Sequence, residues 1–128
     1  MSDIIIFGAG GHGRVVLDVL QRANQHKPIG FLDNNQRLHG RRIDGLPVLG
    51  GLDQLPELRK RGITRAIIAI GDNGVRRGLA RSLEEQDFEL VCAIHPSAQL
   101  ASSVTIGRGV VISAGALVCA HCQIGDYA

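Results

Sequence analysis

Two periodicities divide the chain. Up to about Ala93, short apolar runs alternate with longer amphipathic ones. Asp3 to Phe7 reads as a buried strand, β-branched and followed by glycine. Arg14 to Ala23 carries Val15, Val16, Val19 and Leu20 at helical spacing, and Ile29 to Leu32 is a second strand closed by the turn cluster Asp33-Asn34-Asn35. The polar stretch Gln36 to Pro47 reads as a long loop, with a short strand over Pro47-Val48-Leu49. Asp53 is expected to cap a helix that has Pro56 in its first turn and runs to Arg61, ahead of Gly62. Ala66 to Ile70 is a central strand, Asp72-Asn73-Gly74 opens a helix over Val75 to Gln86, and Phe88 to Ala93 is the last strand. Strands alternating with helices predict a parallel sheet covered on both faces, an α/β domain over residues 1–93.

From Ile94 the period becomes six. Ile94, Leu100, Ile106, Ile112, Val118 and Ile124 recur in one phase, and Ala98, Val104, Val110, Ala116, Cys122 and Ala128 follow each by four. Ile, Leu and Val make up 37 of 128 residues. Six such anchors in phase would then arise by chance roughly once in two thousand trials, which marks a repeat. A period of six fits neither a helix nor an amphipathic strand. It fits a three-sided parallel β-helix, in which each hexad is one face and the aliphatic residue fills the interior. Three faces make one coil, so Ile94 is expected to stack on Ile112, Leu100 on Val118 and Ile106 on Ile124. Residues 94–128 amount to just under two coils, fewer than such repeats usually need, and they end inside a hexad without a polar cap. The expectation is a longer protein, or another chain over the open edge.

Composition narrows the classes. A formal net charge of +2 and only four aromatics (Phe7, Phe31, Phe88, Tyr127) supply neither a basic stripe nor stacking platforms for nucleic acid. The apolar runs are far too short to span a bilayer, and Met1-Ser2-Asp3 leads into a strand without a basic leader, so no membrane insertion and no signal peptide are expected. Three cysteines form no disulfide framework and favour a reducing, cytoplasmic setting.

Seventeen glycines are the outlier. Gly8-Ala9-Gly10-Gly11-His12-Gly13 lies between the first strand and the first helix and matches G-x-G-x-x-G at 8, 10 and 13. Glycine permits the tight turn and close backbone approach, and the helix amino terminus offers free N–H groups to a phosphate. Asp33, at the end of the next strand, is placed to bind ribose hydroxyls. The alternative is a tight strand–helix turn with no ligand. A nucleotide or nucleotide-sugar suits the short sheet better than NAD. Gly71-Asp72-Asn73-Gly74, at the end of the central strand, would face the same crevice, and His12 is within reach of a diphosphate or sugar, unless it is a solvated loop residue.

Cys119-Ala120-His121-Cys122 resembles half of a zinc motif, but no second pair stands at metal-ligand spacing. Both cysteines fall on small-residue positions of the hexads and are read as buried small hydrophobes, so no metal is expected. Cys92 is read as core and His95 as structural, His26 and His39 carry no message, and His121 is a weak candidate for a base.

Taken in order, the Gly-Ala-Gly-Gly-His-Gly loop, Phe31-Leu32-Asp33-Asn34, Ala69-Ile70-Gly71-Asp72-Asn73 and Ile94-His95-Pro96-Ser97-Ala98 leading into hexads resemble the NeuD/PglD-like sugar O- and N-acyltransferases of bacterial surface-glycan biosynthesis. The resemblance covers essentially the whole chain. It implies a Rossmann-like nucleotide-sugar-binding domain, a left-handed β-helix over 94–128, homotrimers, and acetyl-CoA bound between neighbouring β-helices. By position, Gly8, Gly10, Gly11, His12, Gly13, Asp33, Asn34, Gly71, Asp72 and Asn73 would line a pocket for a nucleotide-sugar, most readily a UDP-sugar, or for sialic acid. The family's reactive histidine lies two positions after a hexad anchor. Ala120 stands there in this chain and His121 is one place late, so the catalytic histidine is expected beyond Ala128. The implied activity is acetyl transfer; an NAD-linked oxidoreductase fragment and a non-catalytic nucleotide-sugar-binding module are the alternatives, and the hexads argue against the former.

Overall fold

A computed structural model describes residues 1–128. Strands β1 (Ser2–Phe7), β2 (His26–Leu32), β3 (Arg42–Ile43), β4 (Leu46–Gly50), β5 (Arg65–Ile68) and β6 (Glu89–Leu90) form one sheet in the order β3-β4-β2-β1-β5-β6. Every pairing is parallel except β3 with β4. Side chains alternate across β1: Ile4 and Ile6 join one core with Val16, Leu17, Val19 and Leu20 of α1 (Gly11–Ala23). Ile5 and Phe7 join the other, with Leu55 and Leu58 of α2 (Leu55–Lys60) and Leu79 and Leu83 of α3 (Asn73–Glu85). The sheet is thus covered on both faces, as the alternation of elements predicts. Pro28, which cannot donate to a ladder, lies where the β1–β2 register slips between Ile4 and Ile5, the irregular place a strand proline tolerates.

The hexads pair as their spacing predicts. Strands β7 (Ala93–Ile94), β8 (Gln99–Leu100) and β9 (Thr105–Ile106) lie parallel to β10 (Val111–Ile112), β11 (Leu117–Val118) and β12 (Gln123–Ile124), with Ile94 on Ile112, Leu100 on Val118 and Ile106 on Ile124. The left-handed backbone recurs every six residues at Gly109, Gly115, His121 and Tyr127, with φ of 65°, 72°, 63° and 64°. Ser97 and Ser103 accept from the backbone N–H groups of Gly115 and His121 at 2.9 and 2.8 Å, which ties one coil to the next. This is the start of a parallel β-helix.

Several local expectations are corrected. Gln36 to Pro47 is not an open loop. A 3-10 turn spans Gln36–Leu38, and β3 and β4 form a hairpin through Asp44 and Gly45, both at positive φ. Asp53 lies inside a 3-10 turn (Leu52–Gln54) and caps nothing; Gln54 precedes α2 without a side-chain capping bond. The strand over Phe88 to Ala93 splits. Glu89 and Leu90 stay with β5, whereas Ala93 pairs with Val111, because Val91 and Ala93 turn into the α1-side core. In α1, Val15 is 48% exposed and Leu17 takes the core position. Cys119 and Cys122 are exposed rather than buried, since they sit at corners of the second coil, and Cys92 is only half-buried.

Candidate functional site

The chain runs from β1 outward to β2 and β4, then returns to β5 on the other side of β1. Between β1 and β5 the strand order reverses, and at such a point the carboxyl ends of the strands open a crevice for ligands. The Gly8 to Gly13 loop forms its floor. Gly8 has φ +122°, and a Cβ there would overlap the Ala69 carbonyl and lie 2.9 Å from its carbon. Gly13 is buried, and a Cβ on it would overlap the Gly8 carbonyl. These two glycines therefore let loop, helix and β5 close together. Gly10 and Gly11 differ: a Cβ on either meets nothing within 4 Å. They face open space.

The amino terminus of α1 is bare. Gly10 precedes it and gives no side-chain cap, so the N–H groups of Gly11, His12 and Gly13 have no partner within the helix. The partial positive charge of the helix end adds to them. At the neighbouring α3, the Asp72 carboxylate accepts from Val75 N–H at 2.9 Å and supplies its own anion. A phosphate is thus favoured at α1 and repelled at α3.

Asp33 closes the crevice from β2. One carboxylate oxygen accepts from Ala9 N–H at 2.9 Å and the other from Asn35 N–H at 2.8 Å. This fixes the glycine loop against β2, as does the bond from Gly8 N–H to the Leu32 carbonyl at 2.7 Å. A carboxylate has about four acceptor positions, so Asp33 keeps capacity for hydroxyl donors. Asn34 is exposed beside Gly51, at the end of β4. Gly71, Asp72 and Asn73 are exposed at the end of β5, where Asn73 accepts from Arg76 at 2.5 Å. His12 is exposed on the first turn of α1.

The structure therefore brings the glycine loop and Asp33 into direct contact and sets Asn34 and Gly71 to Asn73 on the flanking strand ends. His121 stands apart, exposed at a left-handed corner whose N–H is held by Ser103. Sequence reasoning missed Arg14, whose guanidinium reaches Asp44 of the β3–β4 turn at 3.1 Å beside the bare helix end. Asp-Gly between two apolar positions is the strongest short-range hairpin signal and would have revealed that turn. The two concave pockets, of about 520 and 220 Å³, lie between α3 and the last corner of the second coil; of the candidate residues only Asn73 lines one of them, the smaller. Neither pocket is lined by the glycine loop or by Asp33, and the bare N–H groups of α1 stand on an open shelf.

A turn of this kind at the switch point of a parallel sheet, continued into stacked hexads, defines a Rossmann-like α/β domain joined to the start of a β-helix. The chain belongs to the PglD N-terminal domain family, which matches residues 3–83. It is 32% identical over 115 residues to UDP-N-acetylbacillosamine N-acetyltransferase of Bacillus subtilis, covering 89% of this chain and 52% of that protein. A mutant of perosamine N-acetyltransferase from Caulobacter crescentus, solved with CoA and GDP-perosamine, superposes with a TM-score of 0.92 at 38% identity, over 99% of this chain and 59% of that one. The acetyltransferase domain of PglB from Neisseria gonorrhoeae, solved with acetyl coenzyme A, gives 0.84 at 30% identity, over 98% and 59%. The chain thus spans between half and three-fifths of the length of these relatives. No helix is long and apolar enough to cross a membrane.

Proposed function

We propose that this chain is the sugar-nucleotide-binding part and first coils of an acetyl-CoA-dependent acetyltransferase acting on a nucleotide-linked sugar, or on sialic acid, in bacterial surface-glycan synthesis. Residues 1–93 form the binding unit and 94–128 the beginning of the β-helix. The diphosphate rests on the N–H groups of Gly11, His12 and Gly13, with Gly8 and Gly10 shaping the turn. Asp33 and Asn34 receive ribose hydroxyls, and Gly71, Asp72 and Asn73 flank the sugar or base. The observation that carries the reading is the bare end of α1 at the β1–β5 switch point in a chain that continues directly into a β-helix. The relatives bearing UDP- and GDP-sugar names at 32% and 38% identity support it.

In the acyl-transfer step, the sugar's amine or hydroxyl attacks the thioester carbon, its proton passes to a histidine base, and the CoA thiolate leaves. Backbone N–H groups steady the oxyanion. That base belongs two positions after a hexad anchor, the place Ala120 takes here, and His121 serves as a corner instead. A homotrimer is the expected assembly, supported by Leu117, 71% exposed on the outer side of the second coil. The compartment is cytoplasmic, where nucleotide-sugars and acetyl-CoA are both available.

Thermal shift with UDP-N-acetylglucosamine, GDP-mannose and NAD tests the reading. Stabilisation by a sugar nucleotide, most with the UDP compound, is expected; stabilisation by NAD alone overturns it in favour of a nicotinamide-dependent enzyme. Little acetyl-CoA consumption is expected from this chain, because Ala120 takes the histidine's place; robust turnover would mean that His121 is the base.

A further inference from the structure

One charged cluster outside the crevice joins the two parts of the chain. Glu84, in the last turn of α3, bonds through one carboxylate oxygen to Arg108 and accepts through the other from the Tyr127 hydroxyl at 2.7 Å. Arg108 lies in the first coil and Tyr127 in the second. Asp126 completes the set, accepting from Arg108 N–H at 2.8 Å and from its guanidinium at 3.3 Å. The Arg108 guanidinium stands 5.8 Å from the centre of the Tyr127 ring. Gly107 leaves room for this, since a Cβ there would overlap Asp126. The bond to Glu84, then burial, raises the Tyr127 pKa, and the Arg108 N–H lowers that of Asp126.

The opposite side of the junction is apolar: Val91, Ala93 and Val111 pack into the α1 core. Apolar burial is non-directional, whereas charged hydrogen bonds fix geometry. The other end of α3 is Asp72, at the crevice. Thirteen residues of helix span about 20 Å, so α3 is a rigid strut from the crevice to the coils.

We propose that Glu84 is a positioning residue: gripping Arg108 and Tyr127, it locks the coil stack to α3 and so fixes the β-helix relative to the sugar-nucleotide crevice. This rests on the function proposed above, because only an acyl donor held on the β-helix requires that alignment. The larger pocket, lined by Arg77, Arg81 and Glu85 together with Glu84 and Tyr127, borders the latch.

Distances between spin labels test it in the 128-residue chain. One label is attached to Cys119, exposed on the second coil, and one to an introduced D18C on the exposed side of α1, with Cys92 and Cys122 replaced by serine. The unmutated latch is expected to give one narrow distribution. Glu84→Ala is expected to add a broad, shifted population, Tyr127→Phe to broaden it less, and Glu84→Gln, whose one amide oxygen can accept from Arg108 while its amide N–H donates to the Tyr127 hydroxyl oxygen, to restore most of the narrow peak. Each variant is checked for cooperative unfolding. A Glu84→Ala chain that folds cooperatively and keeps the narrow distribution overturns the proposal, even if its melting temperature falls, because the contact is then only stabilising. Affinity for UDP-N-acetylglucosamine is measured alongside and is expected to be unchanged in all variants. Failure of the unmutated chain to bind would sink the proposed function without touching the latch.

Discussion

Substituting alanine at Gly13 and at Gly11 is expected to separate two jobs that one glycine motif performs. At Gly13 the new methyl overlaps the Gly8 carbonyl, and its Cβ lies 2.9 Å from that carbonyl carbon and 3.5 Å from the Phe31 ring. The carbonyl has nowhere to go, because Gly8 is bonded to Leu32 and packed on Ala69. Overfilling a fixed site costs about 1–3 kcal/mol or more, offset by up to about 1 kcal/mol of gained helix propensity. The net loss is about 2 kcal/mol, which with a urea slope of about 1–3 kcal/mol per molar moves the midpoint down by about 1 M. At Gly11 the methyl enters open space, so the midpoint stays or rises slightly. The same methyl would stand where the diphosphate is proposed to rest, however. Loss of one charged backbone hydrogen bond, about 1.5–3 kcal/mol, weakens UDP-N-acetylglucosamine by about ten- to a hundred-fold in calorimetry. A Gly13→Ala chain with wild-type stability refutes the strand–helix contact. A Gly11→Ala chain with wild-type affinity refutes phosphate binding at the loop.

Asp72→Ala removes the cap of α3 and should cost about 1 kcal/mol in urea unfolding, while Asp72→Asn keeps the bond; equal losses in both would count against capping. His26 has an unpartnered buried Nδ1 and a pKa held below its ordinary 6.5, first by desolvation and then by Arg65. The unfolded chain therefore binds the proton more readily, so this contribution is complete above about 6.5 and fades as pH falls below it. Unfolding at pH 7.5 and 5.5 should show a loss on acidification that His26→Gln reduces, and an undiminished loss in that variant would assign the effect elsewhere. His121→Gly relieves a left-handed backbone that costs a side chain about 1–2 kcal/mol, less the added chain entropy of about 0.5–1 kcal/mol; a slight rise in the urea midpoint is expected, and a clear fall would contradict the corner geometry.

What could be read from the sequence was what repeats or what is local. Six aliphatic anchors in phase specify both the coil and its register, because each stacks only on the residue one coil away. The turn after Phe7 was equally legible, since glycines between an apolar strand and an amphipathic helix have few other uses. The left-handed corners at 109, 115, 121 and 127 share the hexad period, but only two of them are glycine, so His121 and Tyr127 gave no sign of theirs. The end of the sheet misled because Phe88 to Ala93 is apolar apart from Glu89 and reads as one strand, while its residues serve two cores on opposite faces. The Glu84 latch was invisible: its partners lie 24 and 43 residues away, and no periodicity links a helix end to the coil corners.

The crevice at the β1–β5 switch point is proposed to hold a sugar nucleotide. Amide chemical shifts of the 15N-labelled chain, followed as UDP-N-acetylglucosamine or GDP-mannose is added, test it most directly. Saturable shifts are expected at Gly8 to Gly13, Asp33, Asn34 and Gly71 to Asn73, with residues 94–128 nearly unmoved. Shifts confined to the coil, or shifts at the glycine loop with NAD and with neither sugar nucleotide, would contradict it.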